Sequence, residues 1–171
     1  LFLARSGFFG VQGFFEELNQ RLQRHMDNYG RYFNSVAESS FDTWLDGYVP
    51  GVPGRKVSIY TEGCLLAFVC DVKIREHSAN KHGLDELMKR LYFNFAVKGM
   101  GYTWQEYQET LENVSGISFK EFFDRFVFST EPYESILVEA CEFFGLEIKQ
   151  VPSPSYAEAK LGMKVSPKGP D

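Results

Sequence analysis

Hydrophobic positions along this chain recur at helical rather than alternating spacing, and the longest such stretch, residues 57–76, sets the pattern for the rest. Residues 64–70 are apolar without a break, whereas Asp71, Lys73, Arg75 and Glu76 return the segment to water. The run predicts one long helix, buried in its middle on nearly all sides, with everything else packed around it.

The same period marks its neighbours. Phe14, Phe15, Leu18, Leu22 and Met26 predict a helix that turns Glu16, Glu17, Arg21 and Arg24 outward and ends near Asn28-Tyr29-Gly30. A short helix within 35–48 is expected to start at Ser39 or Ser40, with Trp44 and Leu45 as core anchors. The Pro- and Gly-rich residues 48–54 then form an irregular loop. Leu84, Leu87, Met88 and Leu91 give another amphipathic helix, ending by Lys98-Gly99. Thr103-x-x-Glu106 and Ser118-x-x-Glu121 match the capping box, placing two further helices. Phe119, Phe122, Phe123 and Phe126 make an aromatic stripe that belongs to the core. Pro132 suits the first turn of a last helix running through Ile136, Leu137 and Ala140 to Gly145. Beyond it, residues 146–151 alternate like a strand and Pro152-Ser153-Pro154-Ser155 reads as a linker.

The predicted fold class is therefore mainly α, a multi-helix bundle with a short β or extended tail. A length of 171 residues with 44% hydrophobic and 16% aromatic content fits one domain with its own core. A net charge of -5, with no cluster of Lys and Arg, argues against a nucleic-acid partner and against an anionic-membrane patch. The apolar run 64–70 is far short of the ~20 residues of a membrane span. Cys64, Cys70 and Cys141 are odd in number and two lie in the most apolar helix, so a disulfide framework is not expected; this favours a reducing, cytoplasmic compartment without fixing localisation. Residues 1–4 look like the end of a helix begun upstream, with neither an initiator Met nor a signal peptide, which reads as a piece of a longer protein.

Two residues at the start of the central helix carry the candidate chemistry. Gly63 lies one turn from Tyr60 on the same face, and glycine inside a helix costs roughly 1 kcal/mol relative to alanine. The pair suits either close packing of another helix beside an ordinary aromatic or a phenol next to an empty space that serves a ligand. His77 and His82 lie in a polar loop rather than at i, i+4 on one helix face, so they do not make a metal site.

The string Val57-Ser58-Ile59-Tyr60-Thr61-Glu62-Gly63 resembles the tyrosine-bearing helix of gluzincin zinc peptidases, in which Tyr-x-x-Gly opens a long apolar helix. Ala37-Glu38-Ser39-Ser40-Phe41-Asp42-Thr43-Trp44 before it, Leu84-Asp85-Glu86-Leu87-Met88 after it, and Phe122-Phe123-Asp124-Arg125-Phe126-Val127 with Thr130-Glu131-Pro132 further on resemble the glycyl aminopeptidase family. Family members often start the helix at residue 84 with a serine cap, where this chain has Gly83.

The resemblance implies that residues 1–150 are the helical C-terminal part of a metalloprotease catalytic domain. Residues 151–171 would be a linker and the first strand of a PDZ domain, on Leu161-Gly162-Met163-Lys164-Val165. It implies zinc in the full-length parent but none held by this segment, since His25, His77 and His82 cannot form His-Glu-x-x-His and the last metal ligand falls before Leu1 in the family's order. Tyr60 would be the one catalytic residue here, its phenol stabilising the oxyanion, and the substrate a peptide with glycine or another small N-terminal residue. The segment alone would be inactive, and a cut apolar face would make it self-associate. The alternative is a non-catalytic helical interaction or scaffold domain in which Tyr60 only packs.

Overall fold

A computed structural model describes residues 6–8, 10–46 and 56–151. Among these are seven α-helices and no strand. They are α1 (Val11–Asp27), α2 (Val36–Asp46), α3 (Ile59–His77), α4 (Leu84–Asn94), α5 (Trp104–Ser115), α6 (Lys120–Phe122, running on as a π-helical turn Phe123–Val127) and α7 (Glu134–Phe143). Short 3-10 turns at Tyr29–Tyr32 and Ala96–Lys98 follow α1 and α4. The predicted segments at residues 1–4, 48–54 and 152–171 lie outside the described residues.

Helix α3 is the centre of the bundle, as its apolar run predicts: α1, α2, α4, α5 and α7 all pack against it. Leu65, Leu66, Val69, Cys70, Val72 and Ile74 are buried and meet Leu87 and Leu91 of α4, Leu111 and Val114 of α5, and Leu137 and Ala140 of α7. The Phe119, Phe122, Phe123 and Phe126 stripe closes the core with rings in edge-to-face contact 5.5–6.1 Å apart. At roughly 1.5–3 kcal/mol for each fully buried large side chain, this layer supplies most of the drive to fold.

Burial of α3 is nevertheless not all-round. Tyr60 and Cys64 are exposed and Gly63 and Ala67 only partly covered, so among the described residues one stripe at i, i+3, i+4 and i+7 is open, ending at Phe68, which stacks on Phe144. Of the two cysteines in this helix Cys70 is buried as expected but Cys64 is exposed; Cys141 is buried, and all three are free.

Helix α2 departs further from expectation. It begins at Val36, three or four residues before the predicted start at Ser39 or Ser40, because Ser35 and Glu38 form a capping box: the Ser35 hydroxyl accepts from the Glu38 N–H at 3.1 Å and the Glu38 carboxylate accepts from the Ser35 N–H at 2.9 Å. Trp44 and Leu45 are 84% and 78% exposed, not core anchors. The inward face is small and polar instead: Ser39 and Thr43 are buried, the Thr43 hydroxyl donating to the Ser39 carbonyl at 2.6 Å. Small side chains let α2 lie close to α3, which turns its bulky residues outward.

Helix ends follow local chemistry with two substitutions from across the fold. The box at Thr103 and Glu106 forms as predicted. At Ser118 it does not: the Glu112 carboxylate of α5 accepts from the Phe119 N–H at 2.7 Å, while Glu121 pairs with Arg125. At α4 the missing serine cap is replaced by Asp71 of α3, whose carboxylate accepts the Leu84 N–H at 2.7 Å and pairs with Arg75. A side chain at Gly83 would stand 2.7 Å from that carboxylate, so the glycine admits the cap rather than weakening it. Helix α7 starts at Glu134, two residues after Pro132, and residues 146–151 run on without strand pairing while Ile148 leans on the core.

Candidate active site

Tyr60 is the second residue of α3, in the turn whose free N–H groups are capped by Ser58, its hydroxyl accepting from the Thr61 N–H at 3.3 Å. The approach to that turn is held from two sides. The Val57 N–H donates to the Ser39 hydroxyl of α2 at 3.2 Å, and the Asn28 side-chain amide donates to the Lys56 carbonyl at 3.4 Å. Gly30 packs against the same carbonyl so closely that an added Cβ would stand 2.6 Å from it.

The phenol lies on the open stripe. Tyr60 is 62% exposed, and a Cβ built at Gly63 meets nothing within 4 Å among the described residues. No described helix packs tightly there, which removes the close-packing explanation of Gly63 as far as these residues go. What stands is an exposed tyrosine with open space one turn further along the same face.

Behind this face is a polar cluster that the sequence reading passed over. Glu62, 1% exposed, points into the protein and takes two hydrogen bonds on one carboxylate oxygen, from His25 Nδ1 of α1 at 2.7 Å and from the Tyr133 hydroxyl just before α7. The His25 and Tyr133 rings also touch, with centroids 4.6 Å apart. Burial, and after it the Glu62 charge, pushes the Tyr133 phenol well above its ordinary range, so it remains a proton donor.

The other imidazole nitrogen, Nε2, is 3.8 Å from Glu134, which pairs with Arg31 at 3.0 Å. Burial alone drives the Glu134 carboxyl up, but the hydrogen bond from its own backbone N–H and the Arg31 guanidinium outweigh it, leaving the group below its usual range. A cavity of about 10 Å³, the room of roughly one water molecule, lies among His25, Arg31, Glu62, Phe126 and Tyr133. It is too small for a peptide or an organic cofactor.

Among the described residues no group of three or more His, Cys, Asp or Glu is arranged to hold a metal ion. His25 is committed to Glu62, whereas His77 and His82 lie exposed at the end of α3. The zinc implied by the resemblance therefore finds no ligand set in these residues.

Residues 1–66 match the family model described as M61 glycyl aminopeptidase. The chain resembles that family. The match ends three residues after Gly63, so the M61 span takes in the Tyr60 turn, the capped α2 and the His25 and Glu62 halves of the cluster, and it supports a peptidase-related function at the level of the family. Neither a curated protein nor a solved structure matches the chain. No helix of the described residues is long and apolar enough to cross a membrane.

Proposed function

We propose that this helical body forms one wall of the cleft of a zinc-dependent aminopeptidase of gluzincin type, acting on peptides with glycine or another small N-terminal residue. The single observation that carries the reading is the exposed Tyr60 on a firmly capped helix start beside the open Gly63 position, inside the span matched by the glycyl aminopeptidase model. Zinc supplies activation of the attacking water in such enzymes, held by residues outside those described.

The role of Tyr60 follows from elementary chemistry. A phenol O–H is a hydrogen-bond donor, so Tyr60 would donate to the oxygen that becomes negative as the scissile carbonyl turns tetrahedral. Its place at the rim of an open face lets a peptide reach it. We propose that this wall is inactive without a metal-binding half that activates the attacking water. The open stripe of α3 and the outward Phe41, Trp44 and Leu45 of α2 are the apolar surface against which that half would pack. Residues 151–171 are proposed as the lead into a PDZ domain.

The test is hydrolysis of a glycyl aryl amide by the full-length protein, with and without a zinc chelator. Turnover lost to the chelator and restored by zinc supports the reading. A folded full-length protein with no turnover on glycyl or other small-residue amides, zinc added, would refute it.

A further inference from the structure

Glu62 occupies a position that the surrounding pattern reserves for an apolar side chain. It lies three residues before Leu65 and seven before Val69, on the inward face of α3. A leucine there would need no hydrogen bonds of its own; a carboxylate must be stripped of water, and His25 and Tyr133 offset part of that loss by hydrogen bonding one of its oxygens. Apolar packing tolerates sliding and rotation, whereas two hydrogen bonds on one oxygen hold direction as well as distance. What the buried carboxylate adds over leucine is orientation.

The orientation in question is that of Tyr60. Successive helix positions turn by about 100°, so Glu62 and Tyr60 point to nearly opposite sides of α3. Fixing one therefore fixes the other. The donors come from two different elements, α1 and the residue preceding α7, while Ser39 and Asn28 hold the entry at Val57 and Lys56. Glu134, paired with Arg31 at 3.0 Å, stands 3.8 Å from the far side of the His25 ring, beyond hydrogen-bond distance.

We propose that Glu62 is a positioning residue, gripped by His25 and Tyr133 on the buried side of α3 so that the turn it belongs to presents the Tyr60 phenol at one fixed place in the cleft. This rests on the reading of Tyr60 as the oxyanion donor. The cluster touches no substrate; it acts through the helix.

Tyr133→Phe tests this with little disturbance, since it removes one hydroxyl and keeps the ring. In the full-length peptidase it is expected to lower kcat about tenfold, as small misplacements of a catalytic group do, with KM changed less than about twofold and bound zinc unchanged. Glu62→Gln should act in the same direction. A loss confined to stability would depress activity on any background, so the deciding measurement is the double variant: added to Tyr60→Phe, Tyr133→Phe should cost less than about twofold more in kcat.

Wild-type kcat in both Tyr133→Phe and Glu62→Gln would overturn the proposal. So would an undiminished tenfold loss on the Tyr60→Phe background, which makes the cluster purely structural. If Tyr60→Phe alone keeps wild-type turnover, the oxyanion reading fails first and the positioning role with it.

Discussion

His25 and Glu62, 37 residues apart, meet at 2.7 Å with both side chains out of solvent, and this contact ties α1 to the turn that carries Tyr60. Truncating Glu62 to alanine leaves the His25 and Tyr133 donors buried and without their acceptor, at about 1–3 kcal/mol each. Glu62→Ala is therefore expected to destabilise the chain by roughly 3–5 kcal/mol in chemical denaturation, as broken buried pairs do. A change under about 1 kcal/mol, the level of a surface substitution, would mean that the pair is not formed in solution.

Gly30 gives a prediction of opposite sign to the general rule. Replacing glycine by alanine where the backbone allows it usually stabilises by about 0.4–1 kcal/mol. Here the new Cβ would meet the Lys56 carbonyl at 2.6 Å and the Asn28 side chain at 2.9 Å, and a backbone carbonyl cannot swing away. Gly30→Ala should lower the melting temperature; a rise would show that the turn before α3 is looser than described.

The capping box at α5 gives a pH dependence. The Thr103 backbone N–H, then the Thr103 hydroxyl, hold the Glu106 carboxyl below its ordinary value of 4.5. A carboxyl whose folded value is depressed contributes stability above its unfolded value and loses it as the pH falls through the folded one. The difference in melting temperature between the wild type and Glu106→Ala should be full at pH 7 and shrink once the pH drops below about 4.5. A difference that stays constant down to pH 3 would contradict the box.

The outward face of α2 makes a contrast with the core. Trp44→Ser should change stability by less than about 0.5 kcal/mol, whereas Phe119→Ala, at a site 1% exposed, should cost about 3–5 kcal/mol. On the proposal that this face associates, Trp44→Ser should also reduce self-association of the chain in sedimentation velocity. Wild-type chain that stays monomeric at high concentration would remove that proposal.

What could be read from the sequence tracks how local the signal was. The unbroken run in α3, the phenylalanine stripe and the Thr103 box are each contained within a few turns, and each appears in the structure. Trp44 and Leu45 predict a buried face that the structure does not have: α2 buries Ser39 and Thr43 instead, and burial of apolar groups is a rule that runs one way only.

The Glu62 cluster was missed for a different reason. Its partners are 37 and 71 residues away in sequence, and polar residues on apolar faces do not announce one another. A signal was present all the same: His25 follows Leu18 and Leu22 at helical spacing, and Glu62 precedes Leu65 and Val69 in the same way. A histidine and a glutamate, each on the inward face of its own helix, had to find partners inside.

The central claim concerns the Tyr60 phenol, and its most direct test is steady-state kinetics of the full-length protein on a glycyl aryl amide beside its Tyr60→Phe variant. The account predicts a fall in kcat of about 10²–10³, as for loss of one oxyanion donor, with KM and zinc content near wild type. Turnover unchanged by the substitution would contradict it, and would leave this helical body as a scaffold in which Tyr60 is an exposed surface residue.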